Sequence, residues 1–105
     1  MANIIEMVKQ ATQMRRQMKE IEGQLARQTV EASSGGDLVK VVARGDMTVE
    51  RVTIHPRAME GGRVDQIERH VTAAVNAALA AAKKKASAEV TKLAGGMGLS
   101  GLLGG

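Results

Sequence analysis

The stretch that decides the fold is "SSGGDLVKVVARGDMTVERVTIHP", residues 33–56. It contains two β-type runs, Leu38–Arg44 and Met47–Ile54, separated by a Gly-Asp pair of the kind that closes a tight hairpin. A cluster of turn residues at 33–37 precedes the first of these runs, and a further β-type run, Gln28–Ala32, lies before the cluster. The stretch therefore predicts a three-stranded antiparallel sheet with short connections.

The alternation of side chains within these runs predicts how the sheet is covered. Val39, Val41 and Ala43 form one wholly apolar face of the central strand, as in a sheet covered on one side. In the third run the apolar residues change parity between Val49 and Val52, which indicates a β-bulge near residues 50–51. A wrongly assigned register of this run is the alternative.

A heptad pattern precedes the sheet. Its apolar residues follow one another at spacings of 3, 4, 3, 4, 3 and 4: Ile4, Met7, Ala11, Met14, Met18, Ile21 and Leu25. This pattern predicts a helix of about 25 residues, N-capped by Asn3, with a narrow apolar seam suited to a partner helix. The alternative is packing of the seam onto the chain's own sheet, and the two arrangements can hold along different parts of the helix. The predicted dimerisation residues are six of the seven seam residues: Met7, Ala11, Met14, Met18, Ile21 and Leu25.

A second helical pattern follows the sheet, from Val64 to Ala94. A helix of that length measures about 46 Å, which is too long for a compact domain of this size, so we expect its end to project or to pair with another chain. The predicted organisation is one helix–sheet–helix domain, residues 1–94. Beyond it, the glycine-rich segment "GGMGLSGLLGG", residues 95–105, is predicted to be a flexible tail.

Composition excludes several classes of protein. The 105 residues include no Phe, Tyr or Trp, so the core is thin and oligomerisation is expected to support it. The absence of cysteine rules out disulfides, thiolate catalysis and cysteine-based zinc sites. No stretch is apolar enough to span a bilayer, and we expect a cytoplasmic protein.

The sequence offers little for catalysis. Its two histidines, His55 and His70, lack metal-ligand spacing and are interpreted as surface residues. The carboxylates are scattered and no phosphate-binding loop is present. We therefore expect no enzyme, no cofactor, no metal and no small-molecule substrate.

The net charge of +4 is concentrated at the two ends of the chain. Lys83, Lys84 and Lys85 form a collar that sweeps about 200° around the last helix. The first helix carries a second basic cluster, with Lys9, Arg15, Arg16 and Lys19 off the apolar seam. Both clusters could be solvated surface. As a nucleic-acid interface, without Phe, Tyr or Trp rings on which bases could stack, they would contact duplex phosphates with little regard for sequence.

Five segments in order resemble the YbaB/EbfC family of bacterial nucleoid-associated proteins. They are "MVKQATQMRRQMKEIEGQL" (7–25), "SSGGDLVKVVARGD" (33–46), "VERVTIHPRAME" (49–60), "HVTAAVNAALAAAKKK" (70–85) and the glycine-rich tail. The third segment departs from the family pattern, because His55 stands where the family usually has an acid.

The resemblance implies an α+β, tweezer-like homodimer whose helical arms embrace double-stranded DNA in the nucleoid, with roles in nucleoid organisation and gene expression. The contacts carried over by position are Lys9, Arg15, Arg16, Lys19, Lys83, Lys84 and Lys85. The alternative is a non-catalytic adaptor that uses its heptad helix to dock a different protein. Association with a membrane surface is disfavoured, because the last helix lacks large apolar residues opposite its lysines.

Overall fold

The computed structural model describes residues 3–96 and has the predicted helix–sheet–helix order. Its elements are helix α1 (Ile4–Arg27), strands β1 (Thr29–Ser34), β2 (Val39–Arg44) and β3 (Val49–Ile54), a short 3-10 helix (Pro56–Met59) and helix α2 (Val64–Gly96). The strands form one antiparallel sheet in the order β1-β2-β3. The α+β fold class is thus confirmed.

Several predicted boundaries are wrong by one or two residues. Strand β1 begins at Thr29 and continues through Ser34, two residues beyond its predicted end, because Ser33 and Ser34 pair with β2. The turn is shorter than predicted and has positive φ at Gly35, Gly36 and Asp37. Helix α2 runs through the two glycines predicted to end it, and the rest of the predicted flexible tail, residues 97–105, lies outside the described residues.

The β2–β3 hairpin has a three-residue loop instead of the two-residue turn predicted. Met47 N–H donates to the Arg44 carbonyl (2.9 Å), and Arg44 N–H donates to the Thr48 carbonyl (2.8 Å). Met47 has a φ of 69°, the left-handed conformation that usually ends such a loop. The Thr48 hydroxyl and N–H both donate to Asp46, and the hydroxyl's hydrogen bond is the main cause that lowers the pKa of this carboxyl.

The predicted β-bulge is confirmed. Val42 pairs with Arg51, whereas the next residue of β2, Ala43, pairs with Val49, so Glu50 is the extra residue. The bulge returns Val49 to the face that carries Val52, which explains the change of parity in the sequence.

The core lies between α2 and one face of the sheet. It consists of six fully buried residues: Val39, Val41 and Ala43 of β2, and Ala74, Ala78 and Ala82 of α2. Helix α2 packs across β1 and β2 and barely touches β3. The apolar residues of β3 on this face, Val49, Val52 and Ile54, are therefore 39–42% exposed.

The sheet and the part of α2 packed on it form the body of the protein. Helix α1 extends from this body as an arm and has no buried residue. Its N-cap is the predicted one, since Asn3 Oδ1 accepts from Glu6 N–H at 2.8 Å. Packing of the seam onto the chain's own sheet does not occur along most of the helix: Ile21 and Leu25 are half-buried, and the earlier seam residues are exposed. The radius of gyration, 19.8 Å, exceeds the value of about 13 Å typical of a compact domain of this size. Neither helix of residues 3–96 is long and apolar enough to cross a membrane.

The joint between α1 and the sheet depends on close backbone approach. Gln28 N–H donates to the Leu25 carbonyl (3.1 Å), and Gly45 N–H donates to the Gln28 carbonyl (2.9 Å). A Cβ at position 45 would lie 2.7 Å from the Leu25 carbonyl oxygen. Only glycine therefore fits position 45 without a shift of the backbone.

We expect Gly45→Ala to lower the free energy of unfolding by about 1–3 kcal/mol, the usual cost of overpacking. Gly23→Ala is the matched control, because its Cβ would meet only Arg27 Nη1 at 3.7 Å. Inside a helix that change should stabilise by about 0.5–1 kcal/mol. Urea unfolding followed by far-ultraviolet circular dichroism measures both; equal effects of the two changes would refute the close-approach account.

His55 performs a capping role at the start of the 3-10 helix. Its Nδ1 accepts a hydrogen bond from Arg57 N–H at 3.0 Å. A carboxylate oxygen could accept this hydrogen bond equally well, which gives a physical reason why histidine can occupy a position where an acid is usual.

Loss of this acceptor should cost stability. We expect His55→Ala to lower the free energy of unfolding by about 0.5–1 kcal/mol, and His55→Asp to retain it within a few tenths. The measurement is again urea unfolding, at a pH where the aspartate is ionised. If the His55→Ala and His55→Asp variants had the same free energy of unfolding, the cap would contribute nothing to stability.

Candidate nucleic-acid interface

The basic residues of α1 lie on one side of the helix, away from the apolar seam. At 100° per residue, Lys9, Arg15, Arg16 and Lys19 fall in a sector about 120° wide, centred about 140° from the seam. All four side chains are exposed. Lys9 and Arg16 also line a shallow depression together with Val8, Thr12 and Gln13. Helix α1 therefore presents an apolar seam on one side and a basic face on the other.

Sequence analysis missed one member of this basic face. Arg27, in the last turn of α1, is exposed and lies within about 20° of Lys9 and Arg16 around the helix axis. Its spacing of 11 residues from Arg16, close to three full turns, was the signal in the sequence that could have identified it.

The three lysines of the collar differ in exposure because α2 packs on the sheet with one side. Lys83 and Lys84 are exposed, whereas Lys85 is half-buried. Lys85 Nζ donates to the backbone carbonyl of Thr29 at 3.1 Å. Because Thr29 begins β1 directly after α1, this contact places the collar at the base of the α1 arm. The structure thus brings the collar and the end of α1 together, while Lys9 lies about 27 Å farther along the arm.

Two of the three basic residues of the sheet lie close to carboxylates, whereas the third, Arg51, makes no ion pair within residues 3–96. Lys40 lies 3.9 Å from a carboxylate oxygen of Glu31, and Arg44 lies 3.6 Å from one of Glu50. Within residues 3–96, no ion pair involves the basic residues of α1 or of the collar. The helices therefore offer cationic groups available to an anionic ligand, and the sheet offers them to a smaller extent.

The two histidines serve the fold. The interpretation of His70 as a surface residue is wrong: it is half-buried, and its Nδ1 lies 3.1 Å from the Ser34 hydroxyl. A Cβ at Gly35 would lie 2.9 Å from its ring, so glycine at this turn makes room for the imidazole. In the described part of the chain, no three histidine, aspartate or glutamate side chains come together to hold a metal ion.

Comparison with known proteins identifies the family. The model of the YbaB/EbfC DNA-binding family matches residues 1–97. A nucleoid-associated protein of Acetivibrio thermocellus is 41% identical over 96 residues, which cover 91% of this chain and 85% of that protein. A nucleoid-associated protein of Thermoanaerobacter pseudethanolicus is 39% identical over 100 residues, covering 95% and 90% of the two chains.

A solved structure shares the fold. The crystal structure of an uncharacterized protein from Helicobacter pylori superposes with a TM-score of 0.70 and covers 89% of this chain and 98% of that one. The two sequences are 16% identical, so this likeness concerns the fold alone. The family match and the curated relatives, which extend over nearly the whole chain, decide the assignment: the chain belongs to the YbaB/EbfC DNA-binding family.

Proposed function

We propose that this protein is a nucleoid-associated protein that binds duplex DNA, with little sequence specificity, through the basic faces of its helices. The observation that carries the proposal is the basic face of α1, which is exposed, free of ion pairs within residues 3–96 and opposite the apolar seam. The names of the curated relatives support it, as does the family to which the chain belongs.

The chemistry of this face favours phosphate contact over reading of bases. Lysine and arginine contact phosphates in any sequence, whereas single-strand binders generally stack bases on aromatic rings. The chain has no Phe, Tyr or Trp. The contacts we propose are Lys9, Arg15, Arg16, Lys19, Arg27, Lys83 and Lys84. The role of Lys85, whose ammonium binds Thr29, is considered below.

The exposed seam supports a homodimer as part of this proposal. Met7, Met14 and Met18 are 60–64% exposed, a continuous apolar stripe of the kind that marks an interaction surface. Pairing of two such seams would bury the methionines and leave the two basic faces directed outward. The uncovered apolar residues of β3 would add to the same assembly. We propose that the dimer acts in the nucleoid and influences nucleoid organisation and gene expression.

A charge in the seam should disrupt the dimer. We expect Met14→Glu with Met18→Glu to give a monomeric or unfolded chain, because four carboxylates per dimer would have to be desolvated. Gln13→Glu with Gln17→Glu adds the same charge off the seam and should leave the dimer intact. Analytical ultracentrifugation at micromolar concentration distinguishes them; a monomeric parent protein would refute the dimer.

DNA binding should depend strongly on salt and weakly on sequence. The test is an electrophoretic mobility shift with unrelated duplexes at several salt concentrations. We expect Lys83→Gln with Lys84→Gln to remove two to four phosphate contacts per dimer, which reduces the log–log salt slope by about 2 to 4. Arg44→Gln with Arg51→Gln, on the sheet, is the control and should change the slope much less. Binding that is insensitive to salt, or a slope unchanged in the lysine variant, would contradict the proposal.

An adaptor protein is the second candidate, and the same exposed seam favours it. Its seam would dock a helix of a different protein. The ultracentrifugation and mobility-shift experiments separate the two functions, because an adaptor of this kind would be monomeric by itself and would not bind duplexes.

A further inference from the structure

The three lysines of the collar differ in position relative to the core. Ala78 and Ala82 of α2 are fully buried against the sheet. Lys85 comes three residues after Ala82 and so returns to the packed side of the helix, whereas Lys84 lies about 200° from Ala82 and faces away. This is why Lys85 is half-buried and Lys84 is exposed.

The carbonyl that Lys85 reaches has no partner in the sheet. The Gln28 carbonyl accepts from Gly45 N–H and therefore faces the neighbouring chain segment. Because carbonyl directions alternate along a strand, the Thr29 carbonyl points to the free edge of β1. Lys85 Nζ, at 3.1 Å, supplies the donor that this edge lacks.

The contact lies at the joint of the α1 arm. Gln28 caps the end of α1, and the Gln28 N–H and Gly45 N–H hydrogen bonds hold the turn into β1. The Lys85 contact is one residue further along, and it ties this turn to α2. The arm is thus connected to both layers of the body at one place.

We propose that Lys85 is a positioning residue that fixes the direction of the α1 arm relative to the body, and that it does not contact DNA phosphates. The part of this inference that concerns DNA rests on the proposed function; the part that concerns the joint does not. Removal of the ammonium should loosen the arm and weaken DNA binding through geometry, while the number of phosphates that the protein neutralises stays the same.

Hydrogen exchange tests the joint directly. The Gln28 and Gly45 amides report its two backbone hydrogen bonds. In Lys85→Gln we expect both amides to exchange roughly five- to tenfold faster, because an opening of the turn no longer has to break the Lys85 contact. Lys84→Gln, one residue away, is the matched control and should leave both rates unchanged. Lys85→Arg, whose guanidinium can donate to the same carbonyl, should restore slow exchange. Unchanged rates in Lys85→Gln would overturn the proposal.

The salt dependence of DNA binding tests the second part. Lys84→Gln should reduce the log–log slope by about 0.9 for each phosphate that the protein no longer neutralises, and Lys85→Gln should lower affinity at an unchanged slope. An equal reduction of the slope in the two variants would assign Lys85 to DNA and overturn this part. If the parent protein binds no duplex at all, the proposed function fails, while the exchange rates still decide whether Lys85 holds the joint.

Discussion

The structure depends on the contact of three alanines with one strand. Ala74, Ala78 and Ala82 recur every four residues, and they cover Val39, Val41 and Ala43 of β2. The two spacings match in length: eight residues of helix rise about 12 Å, and four residues of strand extend about 13 Å. Methyl side chains let the helix approach the sheet closely, and the chain has no Phe, Tyr or Trp with which to fill a thicker layer.

This contact fixes the position of α2 along the sheet, and other features follow from it. On the N-terminal side of the three alanines, His70 of α2 lies against Gly35 and Ser34, at the β1–β2 turn. On their C-terminal side, Lys85 of α2 lies beside Thr29, at the base of α1. The remainder of α2 and most of α1 extend beyond the core, so the apolar and basic faces of α1 remain available to partners.

Much of the fold could be predicted because its signals are local. The heptad and Asn3 located α1 to within a few residues, and the change of parity in the third strand located the bulge at Glu50. The errors arose where tertiary structure overrode local preference. Ser33 and Ser34 are common in turns, yet here they pair with β2, and Met47 adopts a conformation in which glycine is usual.

The candidate site was predictable only in part. Helical spacing identifies which α1 residues share a face, but no periodicity can reveal a hydrogen bond between residues 56 positions apart, such as that of Lys85 with Thr29. The half-burial of His70 was missed for the same reason, since its partner Ser34 is 36 residues away. Patterns in one chain likewise identify an apolar seam without identifying what covers it.

The thin core has a thermal consequence. Val39 and Val41 are the only large side chains among residues 3–96 that are fully buried, so unfolding of the body exposes little new apolar surface. The heat capacity change on unfolding of the body should then fall below the usual value of about 12–15 cal/mol/K per residue. A small heat capacity change makes the enthalpy of unfolding nearly constant with temperature. The curve of stability against temperature is correspondingly flat, and its cold-denaturation limit moves to lower temperature.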